Sequence, residues 1–347
     1  MNIQGKTLFK TCFTYHSKFS KTSIFHKLLT SSRMSSSSKD TVNLMQLLST
    51  SVAAANHAGF LVRSIMKKGD LGIVDKGVND LQTEADRSAQ RLIVKSITER
   101  FPEVTVIGEE GILDDVSSED IPEISVKELN VQCPEAYTSV ASSDIVVWVD
   151  PLDGTTEYAE GLLDHVTVLI GIAVSGKAVA GVIHQPYYGY KTKADTTGRT
   201  VWSCLGAGVH GIESFKEADP NKFVITTTRS HMSKEIKAIL DSMKPDEVVS
   251  VGGAGNKVLL VIEGLADAYV YPSSGCKKWD TCAPEAVLRE KGGILTDIHG
   301  QALRYDKHVQ HLNAMGVLAT KDPKTQERCL SLIPQHVKDK LSGKSGL

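Results

Sequence analysis

Residues 144–158 read Asp-Ile-Val-Val-Trp-Val-Asp-Pro-Leu-Asp-Gly-Thr-Thr-Glu-Tyr. An apolar run of strand length, 144–149, stops at Asp150, and a loop then sets two carboxylates, Asp150 and Asp153, three residues apart. Pro151 fixes one φ angle and Gly154 permits a tight turn. Both carboxylates and the backbone carbonyl of Leu152 can then face one point, an all-oxygen set of the kind that hard divalent cations favour. Thr155-Thr156-Glu157-Tyr158 reads as a helix start, whose free amides suit a phosphate beside such a cation. A turn with no further role would also explain this loop if it stood alone.

Other segments supply more acid. Thr105-Val106-Ile107 reads as a short strand running into Gly108-Glu109-Glu110, a position from which a ligand can project. Asp280, after Trp279, opens a predicted helix over 280–291, with Pro284 tolerable in its first turn. Asp86 falls on a polar face of a helix predicted over 80–100. Solvated surface would account for the Glu pair, and an N-cap for Asp280. Carboxylates at three separate strand or helix ends argue for a common site.

Around these segments the pattern is mixed. A helix is expected over 41–67, where Val42, Met45, Leu48, Val52 and Ala55 recur at three- and four-residue steps. Residues 111–143 are acidic, Ser-rich and weakly periodic, hence a surface excursion. Stretches 166–174 and 178–185 read as a hairpin about Ser175-Gly176, and β-type sequence continues over 198–212. Strand-like 222–227, 247–251 and 267–271 then alternate with helix-like 233–243 and 255–265, the mark of an α/β half. Short strands near 294–297 and 314–319 and a charged helical tail follow.

Composition narrows the function classes. Of 347 residues, 41% are hydrophobic and 23% charged, with formal net charge -2. No basic surplus points to nucleic acid, and no apolar run reaches membrane-span length. The six cysteines show no CxxC pair or zinc spacing and read as reduced thiols. Residues 1–39 carry seven lysines or arginines and no acid before Asp40. They read as a leader outside the fold of a cytoplasmic protein, with a mitochondrial transit peptide as the alternative.

The ordered set Asp86, Gly108-Glu109-Glu110, Asp150-Pro151-Leu152-Asp153-Gly154-Thr155 and Trp279-Asp280-Thr281-Cys282-Ala283 resembles the signature of the lithium-inhibited, magnesium-dependent phosphatases. That superfamily includes inositol monophosphatases, fructose bisphosphatases and bisphosphate nucleotidases. The flanking stretches WVDPLDGTTEYAEGLLDHVTVLIGIA, GVIHQPYY, TTTRSH, VGGAGNK and GCKKWDTCAPE are similar to the animal-type bisphosphate nucleotidases. The likeness covers about residues 42–335, leaving out the leader.

The resemblance implies a mixed α+β and α/β fold, a five-layer α-β-α-β-α sandwich. It implies one phosphatase domain over 41–335, with an α+β half over 41–220 and an α/β half over 221–335, between a leader over 1–40 and a tail over 336–347. It implies hydrolysis of 3'-phosphoadenosine 5'-phosphate, and of its sulfated form, with two or three Mg²⁺ ions and inhibition by lithium. The metal ligands fall on Glu109, Asp150, the Leu152 carbonyl, Asp153 and Asp280, and the water-activating pair on Asp86 and Thr155. Nucleotide contacts fall on Gly154, Thr155, Thr228, His231, Gly253 and Lys257. The loops holding Thr226-Thr227-Thr228-Arg229-Ser230-His231 and Val251-Gly252-Gly253-Ala254-Gly255-Asn256-Lys257 follow strands and precede helices, where open α/β folds bind ligands. A helix-capping loop is the plainer account of each. The partner expected is a small bisphosphate nucleotide or an inositol phosphate, not a nucleic acid or a membrane, and oligomeric state is left open. The rival readings are an inositol phosphatase and a nucleotide sensor without turnover, the latter disfavoured because Asp86 and Thr155 are both present. His184 is read as a packing residue, and Lys277 and Lys278 as solvated charges.

Overall fold

The computed structural model describes residues 40–77, 80–111, 125–127, 129–192, 198–216, 219, 221–230 and 232–342. The leader through residue 39, residues 112–124 and 128 of the acidic excursion, and His231 lie outside the described residues.

The chain begins with β1 (Thr41–Val42) and α1 (Leu44–Lys68). The Asn43 side chain caps α1, and Gly69, at φ 80°, ends it in the left-handed region. Next come β2 (Val74–Gly77), β3 (Asp80–Gln82), α2 (Glu84–Arg100), β4 (Thr105–Gly108), β5 (Val140–Ala141), β6 (Ile145–Asp153) and α3 (Thr155–Ala159). The hairpin is β7 (Thr167–Val174) and β8 (Lys177–Gln185), followed by β9 (Arg199–Cys204) and β10 (Val209–His210). The later half runs β11 (Val224–Thr228), α4 (Lys234–Met243), β12 (Glu247–Val251), α5 (Ala254–Ile262), β13 (Ala268–Tyr271) and α6 (Lys278–Glu290). It closes with β14 (Ile294–Thr296), β15 (Val317–Thr320), α7 (Pro323–Leu332) and α8 (Gln335–Ser342).

Among the described residues there are two main sheets. The first has the order β10-β9-β8-β7-β6-β4 and is antiparallel except where β4 lies along β6. In the second, β12-β11-β13-β15-β14, strand β11 runs parallel to both its neighbours and the other pairs are antiparallel. Strand β6 shows how the layers are specified. Its residues are all buried. Ile145, Val147 and Val149 join the cluster under α1 and α2, whereas Val146 and Trp148 join the cluster beneath α5 and α6. Period-two alternation thus feeds two cores, because a central strand is covered on both faces. The second sheet takes α5 and α6 on one face and α4, α7 and α8 on the other. The stack is therefore α1/α2, sheet, α5/α6, sheet, α4/α7/α8, the five-layer sandwich expected.

Helix α6 and the first sheet approach to backbone contact. Gly171 and Gly181 pair across β7 and β8. A Cβ at Gly171 would lie 2.6 Å from the Ala283 nitrogen, and one at Gly181 would lie 2.4 Å from the Ala283 oxygen. Only glycine admits that approach.

Three local expectations are corrected. The strand expected to stop at Asp150 continues through Asp153, with a register shift against β7 between the two aspartates. A bulge tolerates Pro151, which has no N–H to pair, and the freed Leu152 N–H donates to the Asp150 carboxylate at 3.0 Å. Helix α6 starts at Lys278 rather than Asp280, so Pro284 sits inside it, beyond the first turn, and cannot donate to the Asp280 carbonyl. Lys278 is 7% exposed, not solvated, and donates to the Asn313 side chain. His184 does pack in the interior, its Nδ1 2.8 Å from the Thr200 hydroxyl. Cys133, Cys204, Cys276, Cys282 and Cys329 are free. Among the described residues, no helix is long and apolar enough to cross a membrane.

Glu285, buried in α6, accepts a 2.6 Å hydrogen bond from the Tyr305 hydroxyl. Burial lifts its carboxyl from the ordinary 4.5 to about 7, against the pull of Tyr305, Arg289 and Lys278. Between those values the folded chain keeps a proton that the unfolded chain has released, so stability falls as pH rises through this window. Glu285→Gln keeps an acceptor for Tyr305 and removes the titration. Its stability relative to wild type, from urea denaturation, is expected to be greater at about pH 8 than at about pH 5. The same difference at both pH values would contradict this.

Candidate active site

Elements remote in sequence bring their ends together at one cavity of about 480 Å³. Strand β4 delivers Glu109, whose N–H continues the pairing by donating to the Val149 carbonyl at 3.0 Å. The bulged end of β6 delivers Asp150 and Asp153. Gly154, at φ 89°, then turns the chain into the short α3, which begins with Thr155. Helices α2 and α6 supply the remaining carboxylates by the same local device. Asp86 and Asp280 each occupy the third helical position and accept from the backbone N–H of the cap residue, Thr83 at 2.7 Å and Lys277 at 2.6 Å. Asp86 is thus fully buried instead of lying on a polar helix face.

Asp86 meets Thr155 across 69 residues of chain. The Thr155 hydroxyl lies 3.0 Å from Asp86 Oδ1 and 3.0 Å from the Leu152 carbonyl oxygen. Burial is the main cause that raises the Asp86 carboxyl to about 6. Bonds from Thr83 lower it, and the charge of Glu110 raises it again.

Glu109, Asp153 and Asp280 line the cavity, and Asp150 lies behind them, 2% exposed. Burial pushes Glu109, Asp150 and Asp153 above the usual carboxylate range. The Asp280 charge adds to this at Glu109 and Asp153, and Glu109 and Asp153 add to it at Asp150. Mutually repelling hard oxygen donors of this kind suit a small divalent cation. Among the described residues no three such side chains already close on one point. The fit therefore rests on donor chemistry and on the bulge that exposes the Leu152 carbonyl.

Asp153 is gripped from the far half of the chain. Its Oδ1 accepts from the Ala254 N–H at 2.7 Å, and its Oδ2 from the Gly255 N–H at 2.8 Å and the Thr167 hydroxyl at 2.7 Å. The opposite wall includes Thr228, Gly253 and Lys257. Gly253 takes φ 68° at the turn before α5. Lys257 is 5% exposed, its ammonium 5.4 Å from the Tyr269 ring centroid, and burial lowers its pKa. The cavity thus brings together every candidate residue on its two walls except Asp86, Asp150 and Leu152, which lie directly behind it, and His231, which is outside the described residues.

Sequence reasoning missed several neighbours. Lys76 donates to both Glu110 oxygens at 2.9 Å and stands 3.9 Å from Glu109. Arg229, expected with its loop to suit a phosphate or ribose, is instead drawn to Glu157 and Glu160, tying α3 to the end of β11, and is not part of the cavity lining. Thr167, fully buried at the start of β7, carried one faint signal: a hydroxyl at the head of an otherwise apolar strand.

The model of the inositol monophosphatase family matches residues 43–338. The chain is 50% identical to 3'(2'),5'-bisphosphate nucleotidase 1 of Homo sapiens over 302 residues, covering 86% of this chain and 97% of that one. It is 33% identical to inositol monophosphatase 3 of Xenopus laevis over 299 residues, covering 81% of this chain and 80% of that one. The solved structure of the extragenic suppressor protein suhB from Bartonella henselae shares the fold, with a TM-score of 0.62 at 22% identity, covering 83% of this chain and 98% of that one. With the five layers, the acidic cavity and a family match along most of its length, the chain belongs to the inositol monophosphatase family.

Proposed function

We propose that this chain is a magnesium-dependent phosphomonoesterase that hydrolyses 3'-phosphoadenosine 5'-phosphate to AMP and phosphate. The observation that carries the reaction type is the Thr155 hydroxyl, 3.0 Å from buried Asp86 and beside the carboxylate wall. The substrate class is supported by the half-identical bisphosphate nucleotidase and by a second wall that presents an ammonium, a hydroxyl and a glycine turn.

Members of the family are metal-dependent phosphatases, generally with Mg²⁺. Here Glu109, Asp150, the Leu152 carbonyl, Asp153 and Asp280 would hold two or three Mg²⁺ ions. When bound, these ions would neutralise the phosphate charge and lower the pKa of a coordinated water. Thr155 accepts the proton of the attacking water and passes its own to Asp86 Oδ1. A carboxyl raised to about 6 is a better proton acceptor than an ordinary aspartate and is still ionised near neutral pH. Buried Lys257 faces a phosphate of the nucleotide, with Thr228, His231 and the Gly253 turn beside it.

The test is phosphate release from 3'-phosphoadenosine 5'-phosphate, inositol 1-phosphate, inositol 1,4-bisphosphate and fructose 1,6-bisphosphate, each with and without lithium. The bisphosphate nucleotide is expected to be the preferred substrate and lithium to inhibit. Preference for an inositol phosphate would overturn the substrate, and binding without release would turn the protein into a sensor.

Asp153→Asn is expected to nearly abolish turnover, because an amide lacks the charge a cation needs. Near-normal release from the folded variant at saturating magnesium would overturn the assignment. Lys257→Ala should lower kcat/KM for the bisphosphate nucleotide by about 1–3 kcal/mol in transition-state terms, the scale of a charged hydrogen bond. Activity on a small inositol phosphate should fall less, with lithium inhibition unchanged. Equal losses on both substrates would mean that Lys257 serves the fold or the carboxylate wall.

A further inference from the structure

Asn313 lies between β14 and β15, outside the cavity wall, and is 3% exposed. It grips the entry to α6. Its N–H donates to the Cys276 carbonyl at 2.8 Å. That carbonyl belongs to the same peptide unit as the Lys277 N–H, which donates to Asp280 Oδ2 at 2.6 Å. The Asn313 Nδ2 group donates to the carbonyl of the next peptide unit, Lys277, at 2.9 Å, and lies 3.2 Å from the Thr281 hydroxyl. Its Oδ1 accepts from the Lys278 ammonium at 2.6 Å. Lys277 also pairs with Leu312 as an isolated bridge. An ammonium carries only donors, so it can face only Oδ1, and the amide is thereby turned with Nδ2 toward the Lys277 carbonyl. Adjacent lysines have different work. Lys277 lines the cavity, whereas Lys278 lines a separate pocket of about 280 Å³ behind it.

We infer that Asn313, oriented by Lys278, is a positioning residue for Asp280. The Asn313 main-chain N–H and side-chain amide hold the carbonyls of the two consecutive peptide units that enter α6, the first of which donates the N–H that holds one Asp280 oxygen, and this double grip sets the direction in which the carboxylate meets a cation. Side chains that hold a ligand in this way tune metal affinity without touching the metal. The inference rests on Asp280 being a cation ligand, as proposed above.

The experiment is Mn²⁺ binding to the purified full chain, read from the electron paramagnetic resonance of free Mn²⁺, with thermal melting of the metal-free proteins alongside. Asn313→Asp keeps the bond to Lys278 but sets an acceptor against the Lys277 carbonyl. It is expected to weaken Mn²⁺ binding about tenfold or more. Lys278→Met leaves the amide free to turn and should weaken binding several-fold. Affinities within about twofold of wild type in both variants would overturn the inference even if melting temperatures fall, because a merely structural residue predicts that pattern. If Asn313→Asp does not fold, Lys278→Met decides by the same measure. A wild-type protein that binds no Mn²⁺ overturns the cation site itself, and the inference with it.

Discussion

Carboxylates held below a protein surface within reach of one another repel, and no single stretch of this chain could hold such a group together. Glu109 comes from the end of β4, Asp150 and Asp153 from the end of β6, and Asp280 from the first turn of α6. Asp150, Asp153 and Asp280 accept backbone hydrogen bonds and Glu109 stands 3.9 Å from the Lys76 ammonium, so that the repulsion is borne by the fold rather than relieved by side-chain rotation. The parallel pairing of β4 with β6 sets the first two ends side by side. The middle helical layer then lowers α6 onto the same sheet.

Asp153 links the two halves. It belongs to β6, yet its oxygens are held by the first two amides of α5, just past the glycine turn, and by the Thr167 hydroxyl. The wall that would select a substrate is thereby registered against the wall that would carry the reaction, at hydrogen-bond distance. A disturbance of the glycine turn reaches the carboxylates through one residue, which is a short route for coupling between substrate and cation.

The linear pattern was informative where the chemistry is local. The apolar run into Asp150, the glycine at 154 and the hairpin about Ser175-Gly176 can each be read from neighbouring residues. The alternation after residue 222 likewise announces the α/β half. Distance in sequence hid the rest. Nothing near Asp86 indicates that its neighbour is Thr155, so its burial was missed and a polar helix face was expected. The Thr83-x-x-Asp86 spacing could have flagged a capping box, and hence an aspartate turned back toward the helix start. Lys278 looked like a solvated charge because its partner, Asn313, is 35 residues away. The start of α6 was placed late because an Asp before a helical run resembles a cap, while here the aspartate is in the first turn and Lys277 occupies the cap.

Where Gly171 and Gly181 meet Ala283, helix and sheet touch backbone to backbone. A joint of that kind has no side-chain cushion to compress or slide, so α6 and the first sheet can move only as one body. Asp280 on α6 and the aspartates at the end of β6 therefore keep one separation across the cavity.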